Sequence, residues 1–269
     1  MRAGVRRRAL GQHFLRDYAV ARAIVEALAP RPTDLVVEIG PGDGALTAAL
    51  SRRAGHVLAL EIDRGLAASL RARLPGVEVV EADALRWDYR ALHRPPGGRV
   101  LVVGNLPYSS GTAILTALVD ARAAIDEIVV MLQREVAERV AAAPGTRSYG
   151  SLSVIAQLGC DVGVILRVPP RAFRPPPKVE SAVLKLAVLP GPRVAVGDEG
   201  HFRAVVRAAF ARRRKTLANA LSASLALAPA QVRDLLVQAG IDPVRRAETL
   251  GLDEFARLAA RIDHAGIER

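Results

Sequence analysis

Asn105, Leu106, Pro107 and Tyr108 form an Asn-x-Pro-Tyr element inside the run GNLPYSS at residues 104–110. An adenine amine is a poor nucleophile, because its lone pair is delocalised into the ring. Two acceptors that grip its N–H bonds localise that pair. The Asn105 side-chain oxygen and the Leu106 carbonyl are two such acceptors, Pro107 fixes the turn, and Tyr108 offers a face for an extruded base. No strong base is needed if the methyl donor is a sulfonium, which is already an excellent electrophile. Read alone, the same residues also make an Asn-Pro turn with a surface tyrosine.

Three upstream segments can hold a nucleotide-like cofactor. VVEIGPGDGALT (36–47) runs an apolar stretch into Gly40, Gly42 and Gly44, which permit a tight turn and close backbone approach to a ligand. By itself this pattern accommodates NAD, FAD or S-adenosylmethionine. In LALEID (58–63), Glu61 stands where an acidic residue holds both hydroxyls of a ribose, while Asp63 is either the alternative or a helix cap. In VEADAL (80–85), Asp83 is placed to accept from an adenine amino group or to cap a helix. The Asn-x-Pro-Tyr element after a fourth strand selects methyl transfer over hydride transfer.

The elements that must position these residues follow from periodicity. Apolar runs at 35–39, 57–61, 77–80, 99–103 and 128–132 read as buried parallel strands. Helical stretches at 17–29, 45–53, the segment ending at Leu74, 114–121 and 135–142 alternate with them. This alternation predicts an α/β fold with a doubly wound, mostly parallel sheet. Two more strands near 160–168 and 181–188 suit an antiparallel edge. Residues 189–200 are rich in Pro and Gly and read as a linker. Helices over 201–223, 229–239 and 252–262 then predict a small all-helical domain. The boundary falls at 190, giving a catalytic domain over 1–190 and a helical, RNA-contacting domain over 191–269.

The chain has 269 residues and a net charge of +11, with lysine only at Lys178, Lys185 and Lys215. An arginine-dominated excess suits phosphate oxygens and stacked bases, so a nucleic-acid partner is expected. The single cysteine, Cys160, excludes an internal disulfide and a Cys-based zinc site, and reads as a small buried residue in a strand. No apolar run is long enough to span a membrane, and Arg2, Arg6, Arg7 and Arg8 are not followed by a signal-like apolar stretch. A cytoplasmic monomer without metal is expected.

The chain resembles the rRNA adenine dimethyltransferases of the KsgA/RsmA type over nearly its whole length. The resemblance is carried by LGQHFLRD (10–17), EIGPGDGALT (38–47), EID (61–63), NLPY (105–108), MLQREVAERV (131–140), YGSLSV (149–154), FRPPPKVESAV (173–183) and FARRRKTLANAL (210–221). It implies a Rossmann-like class I methyltransferase domain and S-adenosylmethionine as methyl donor. The implied reaction places two methyl groups on each of two adjacent adenines in the 3′-terminal hairpin of 16S rRNA, within an assembling 30S subunit. By this match His13 and Leu15 contact S-adenosylmethionine from a lid, together with Gly40, Glu61, Asp83 and Asn105. Phe173 is implied to face Tyr108 across the target base, held by Pro175, Pro176 and Pro177. Without the resemblance, Phe173 reads as an ordinary core residue.

Three places in the chain depart from the family pattern. His13 stands where Asn is usual, Asp43 where an apolar residue is common, and Ser109-Ser110-Gly111 where bulkier polar residues are usual. Asp43 reads as a solvated loop residue or as a contact for the methionyl amine. Arg207, Arg212, Arg213, Arg214 and Lys215 are candidate RNA contacts on a C-terminal helix, of which four consecutive residues cannot all face one groove. Lys178 is a candidate phosphate contact beside the active-site loop, and Arg6 to Arg8 a basic arm. Gln133, Arg134 and Glu135 read as a brace at a sheet–helix junction, and Trp87 and His201 as packing or surface residues. Two other readings remain: the large-subunit rRNA methylase of macrolide resistance, and a non-catalytic RNA- or DNA-binding factor on the same fold.

Overall fold

The computed structural model describes residues 13–212 and 214–264. Leu10, Gly11, Gln12, the arginines at 2 and 6–8, and Arg213 lie outside that range. The chain divides into two compact units. One holds the chain up to Glu138 and Asp161–Val188; the other holds Arg139–Cys160 and the chain from Leu189 onward. The division therefore does not follow a single cut at 190, because residues 139–160 cluster with the C-terminal helices.

The first unit is built on a seven-stranded sheet. Its strands are β2 (Leu35–Ile39), β3 (His56–Glu61), β4 (Glu78–Glu81), β5 (Val100–Asn105), β6 (Glu127–Gln133), β7 (Cys160–Val168) and β9 (Ser181–Val188). Their spatial order is β4-β3-β2-β5-β6-β9-β7. The first five pair in parallel, and β9 runs antiparallel to β6. The order reverses between β2 and β5, and open α/β sheets bind ligands outside the carboxyl ends of strands at such a switch point. A separate two-stranded ribbon joins β1 (Phe14–Leu15) to β8 (Phe173–Arg174). Neither strand is detectable from periodicity, since two residues carry no pattern.

The central strands β2 and β5 are apolar except for Glu38 and the terminal Asn105, because both of their faces are covered. Val36, Val37, Leu101, Val102 and Val103 are fully buried. Helix α1 (Tyr18–Leu28) starts at Asp17, whose Oδ1 accepts from the backbone N–H of Ala19 at 2.9 Å and Val20 at 3.3 Å. It turns Val20, Ile24, Val25 and Leu28 inward and ends at Ala29 in a left-handed conformation, just before Pro30. The helical stretch expected over 45–53 is shorter: only α2 (Thr47–Leu50) is regular, flanked by turns. Helix α3 (Arg64–Arg73) follows β3, α4 (Gly111–Asp120) follows β5, and α5 (Arg134–Val140) follows β6.

The second unit contains α6 (Ser151–Gly159), α7 (Glu199–Phe210), α8 (Leu217–Leu225), α9 (Pro229–Gln238) and α10 (Leu252–His264). Its core holds Phe202, Phe255, Leu217 and Leu221, all fully buried. Phe210 links two aromatic contacts, 6.1 Å from Tyr149 and 5.8 Å from Phe255 between ring centroids. The helix expected over 201–223 is broken in two. Arg212, Arg214 and Lys215 lie between α7 and α8 rather than on a helix, while Arg207 lies on α7.

Candidate active site

A cavity of about 250 Å³ opens at the carboxyl ends of β2, β3, β4 and β5. Its wall includes His13, Leu15, Gly40, Glu61, Asp83 and Asn105, and continues through Leu106, Pro107 and Tyr108. Gly40, Glu61, Asp83 and Asn105 meet in one place because the parallel strands deliver their last residues to the same edge of the sheet, and a hydrogen bond joins His13 to Asn105 across 92 positions.

The glycine loop leaves β2 with Gly40, Gly42 and Gly44 at φ +63°, +58° and +87°. A Cβ on Gly42 would lie 2.9 Å from the Phe14 ring, so this position needs glycine for space as well as conformation. Glu61 closes the loop from below. Its Oε2 accepts from the Gly42 N–H at 3.0 Å and its Oε1 from the Asp63 N–H at 2.9 Å. Burial raises the Glu61 carboxyl above its ordinary value, against the pull of those N–H donors. Asp63 is the cap of α3, accepting from Gly65 and Leu66. Of the two acidic residues, Glu61 therefore lines the cavity. Asp83 also lines it, while its Oδ1 accepts from the Leu85 N–H at 2.9 Å.

The residues after β5 are held from three sides. The Asn105 Nδ2 donates to the main-chain oxygen of His13 at 2.8 Å. The Leu106 N–H donates to Met131 O at 3.1 Å, next to the β5–β6 pairing. Pro107 O accepts from the Ser110 and Gly111 N–H groups, which turns the chain into α4. Tyr108 is half-buried, and its hydroxyl lies 2.6 Å from that of Ser181 on β9. Burial raises the Tyr108 phenol above its usual value.

His13, Phe14 and Leu15 line the cavity, and the segment 13–17 is tied down by several bonds. Leu15 pairs with Phe173 and Phe14 with Arg174. The His13 Nδ1 lies 2.7 Å from Pro175 O, and the Arg16 and Asp17 N–H groups donate to Ala172 O. Arg16 also pairs with Asp43 at 2.9 Å, so the unusual acid of the glycine loop meets a cation of this segment.

Phe173 and Tyr108 do not line the same cavity. Phe173 is 3% exposed, belongs to the apolar core with Leu15, Val168 and Ala172, and is absent from the cavity wall. The burial of an aromatic ring against apolar neighbours outweighs its exposure beside the proline run. The ring that does face Tyr108 is His13, at 5.3 Å between centroids and tilted by 41°.

Lys178, Arg207, Arg212, Arg214 and Lys215 are all exposed. Lys178 follows β8 in the first unit; the other four belong to the second. Trp87 is partly buried, and the His201 Nε2 lies 3.0 Å from Ala259 O.

Two residues of the site are not singled out by sequence reasoning. Glu38 is fully buried beside Thr47, lines the cavity, and leaves Oε2 without a hydrogen-bond partner. Burial, with the Glu61 charge adding to it, pushes the Glu38 carboxyl up to about 8. An acid inside an otherwise apolar strand is a sequence signal of this kind. Ser181 carries no such signal.

This sheet order and cavity define a Rossmann-like methyltransferase. The family model for ribosomal RNA adenine dimethylase matches residues 5–264, and the chain belongs to that family. Ribosomal RNA small subunit methyltransferase A of Geobacter metallireducens is 48% identical over 262 residues, covering 95% of each chain. The protein of the same name from Moorella thermoacetica is 46% identical, covering 97% of this chain and 93% of its own. Among solved structures, a dimethyladenosine transferase from Plasmodium falciparum superposes with a TM-score of 0.80 at 25% identity, covering 94% of this chain and 98% of that one. The 23S rRNA methyltransferase ErmE superposes with a TM-score of 0.68 at 30% identity, covering 93% and 99%.

Proposed function

We propose that this protein transfers methyl groups from S-adenosylmethionine to the N6 amines of two adjacent adenines in the 3′-terminal hairpin of small-subunit rRNA, two to each. The observation that carries the reading is the convergence of Asn105, Leu106, Pro107 and Tyr108 with Gly40, Glu61 and Asp83 on one cavity. The small-subunit relatives at 46–48% identity support the choice of subunit.

The cavity fits the cofactor. The Gly42 backbone admits no Cβ, and a buried carboxyl oxygen of Glu38 stands unpaired at the wall, ready for a donor. Ile62 and Leu85, both about half exposed, give the wall apolar surface for a flat base. Glu61 is placed for the ribose hydroxyls and Asp83 for the adenine amino group. Bound there, S-adenosylmethionine supplies a methyl group made electrophilic by its sulfonium.

The protein's own part is to make the amine a nucleophile. Because the Asn105 Nδ2 is committed to His13 O, its Oδ1 is the end available to accept from an adenine N–H. The Leu106 carbonyl accepts the second N–H. Tyr108 presents its ring to the extruded base. Water exclusion falls to the covering segment with His13 and Leu15. Lys178, Arg207, Arg212, Arg214 and Lys215 supply phosphate contacts, and the protein acts as a cytoplasmic monomer on an assembling 30S subunit. Phe173 supports the covering segment through its pairing with Leu15.

The test is transfer of a labelled methyl group to isolated, unmethylated ribosomal subunits. Label entering small-subunit rRNA is expected. Label entering large-subunit rRNA would instead favour the activity named for ErmE.

A further inference from the structure

We propose that Ser181 is a positioning residue for methyl transfer, acting through the Tyr108 hydroxyl; this rests on the function proposed above. Ser181 is fully buried and lies outside the cavity wall, whereas Tyr108 lines the cavity. The two hydroxyls are 2.6 Å apart, across 73 residues of chain. A tyrosine ring on a loop rotates about two bonds, and a base stacks well on it only at one tilt. Anchoring the far end of the ring to the sheet fixes that tilt before the base arrives.

The anchor is itself held. Ser181 is the first residue of β9 and pairs with Gln133, the last residue of β6. One step further out, the Arg134 N–H donates to Glu180 O at 2.9 Å, and the Arg134 guanidinium pairs with the Glu180 carboxylate. The register of β9 on β6 is thereby set at the residue that meets Tyr108. A one-residue slip would turn Ser181 to the other face of the sheet. Burial raises the Tyr108 phenol, so it stays neutral, and either hydroxyl can donate across the pair. The segment VES (179–181) thus serves the site without touching substrate.

The experiment is a double-mutant cycle on the full chain: wild type, Ser181→Ala, Tyr108→Phe and the double variant. Single-turnover transfer to unmethylated small subunits and S-adenosylmethionine affinity by calorimetry are measured for each. Tyr108→Phe keeps the ring, removes only the hydroxyl and preserves the fold. Each single variant is expected to slow transfer about tenfold, the worth of one hydrogen bond. The double variant should be no slower than either single one, with cofactor affinity unchanged throughout. Tyr108→Phe turning over like wild type, or a double variant whose loss is the product of the two, would overturn the inference while leaving the proposed function standing. A wild type that leaves small-subunit adenines unmethylated overturns both.

Discussion

The side-chain amide of Asn105 donates from Nδ2 to the main-chain oxygen of His13 at 2.8 Å, joining the loop proposed to be catalytic to the segment before β1. This bond leaves Oδ1 as the end of the amide that can face an acceptor amine. On the proposed function it also makes the segment at His13 part of the catalytic geometry, since a shift of His13 releases Asn105. The contact uses a backbone atom, so the departure from Asn to His at position 13 leaves it intact.

Asn105→Ala removes both the acceptor and the tie to His13. Transfer should fall by at least about 100-fold, the scale for losing one preorganised polar group at a reacting centre. Cofactor affinity should change less than about tenfold, because Gly40, Glu61 and Asp83 remain. Calorimetry beside single-turnover transfer separates the two, and a variant that still turns over normally contradicts the assigned role.

Gly42→Ala forces a side chain into a left-handed conformation and to within 2.9 Å of the Phe14 ring. The strain of about 1–2 kcal/mol, with displacement of Phe14, should weaken S-adenosylmethionine binding by at least about tenfold. Gly97→Ala is the matched control: its φ is +69° but nothing lies within 4 Å. That variant should bind the cofactor as wild type does.

The Glu38 carboxyl makes stability depend on pH. Its ordinary value is 4.5 and burial pushes it up to about 8 in the folded protein. The folded state therefore holds this proton more tightly than the unfolded chain. Its contribution is fully present below 4.5 and is lost as pH rises toward 8. Glu38→Gln keeps the uncharged form at every pH. Without cofactor, its thermal midpoint should exceed that of wild type at about pH 9 by on the order of 5 °C, and by much less at pH 4.5. Parallel pH profiles for the two proteins, measured by scanning calorimetry, would rule this out.

Arg212, Arg214 and Lys215 are exposed on a turn, where neighbouring side chains can reach the same phosphate backbone. Replacing all three with alanine should weaken rRNA binding and lower its salt dependence by about one unit of log–log slope for each phosphate no longer neutralised. Turnover at saturating substrate should stay near wild type. An unchanged salt slope would place the RNA on another face.

Much of the fold is legible in the sequence because buried parallel strands are continuous apolar runs. Leu35–Ile39, Val100–Asn105 and Glu127–Gln133 each fall within a residue or two of the expected strand. The convergence of Gly40, Glu61 and Asp83 on one cavity is legible for the same reason, since they sit at or just past the ends of parallel strands. What stays hidden is set by long-range pairing. The ribbon of Phe14–Leu15 with Phe173–Arg174 brings together residues far apart in sequence, and it buries the ring expected to face the base. Ser181 reads as a small polar residue in an edge strand, and only its register against Gln133 carries it to Tyr108. The break between α7 and α8 falls among arginines and lysine, which favour a helix locally.

The central claim is the acceptor: N6 of two neighbouring adenines. Its most direct test is mass spectrometry of nucleosides and oligonucleotides from small-subunit rRNA after reaction with the protein and S-adenosylmethionine. N6,N6-dimethyladenosine at two adjacent positions of the 3′-terminal hairpin is the predicted product. Methylation at another atom or on large-subunit rRNA, or no methylation of the small-subunit rRNA at all, would contradict the account.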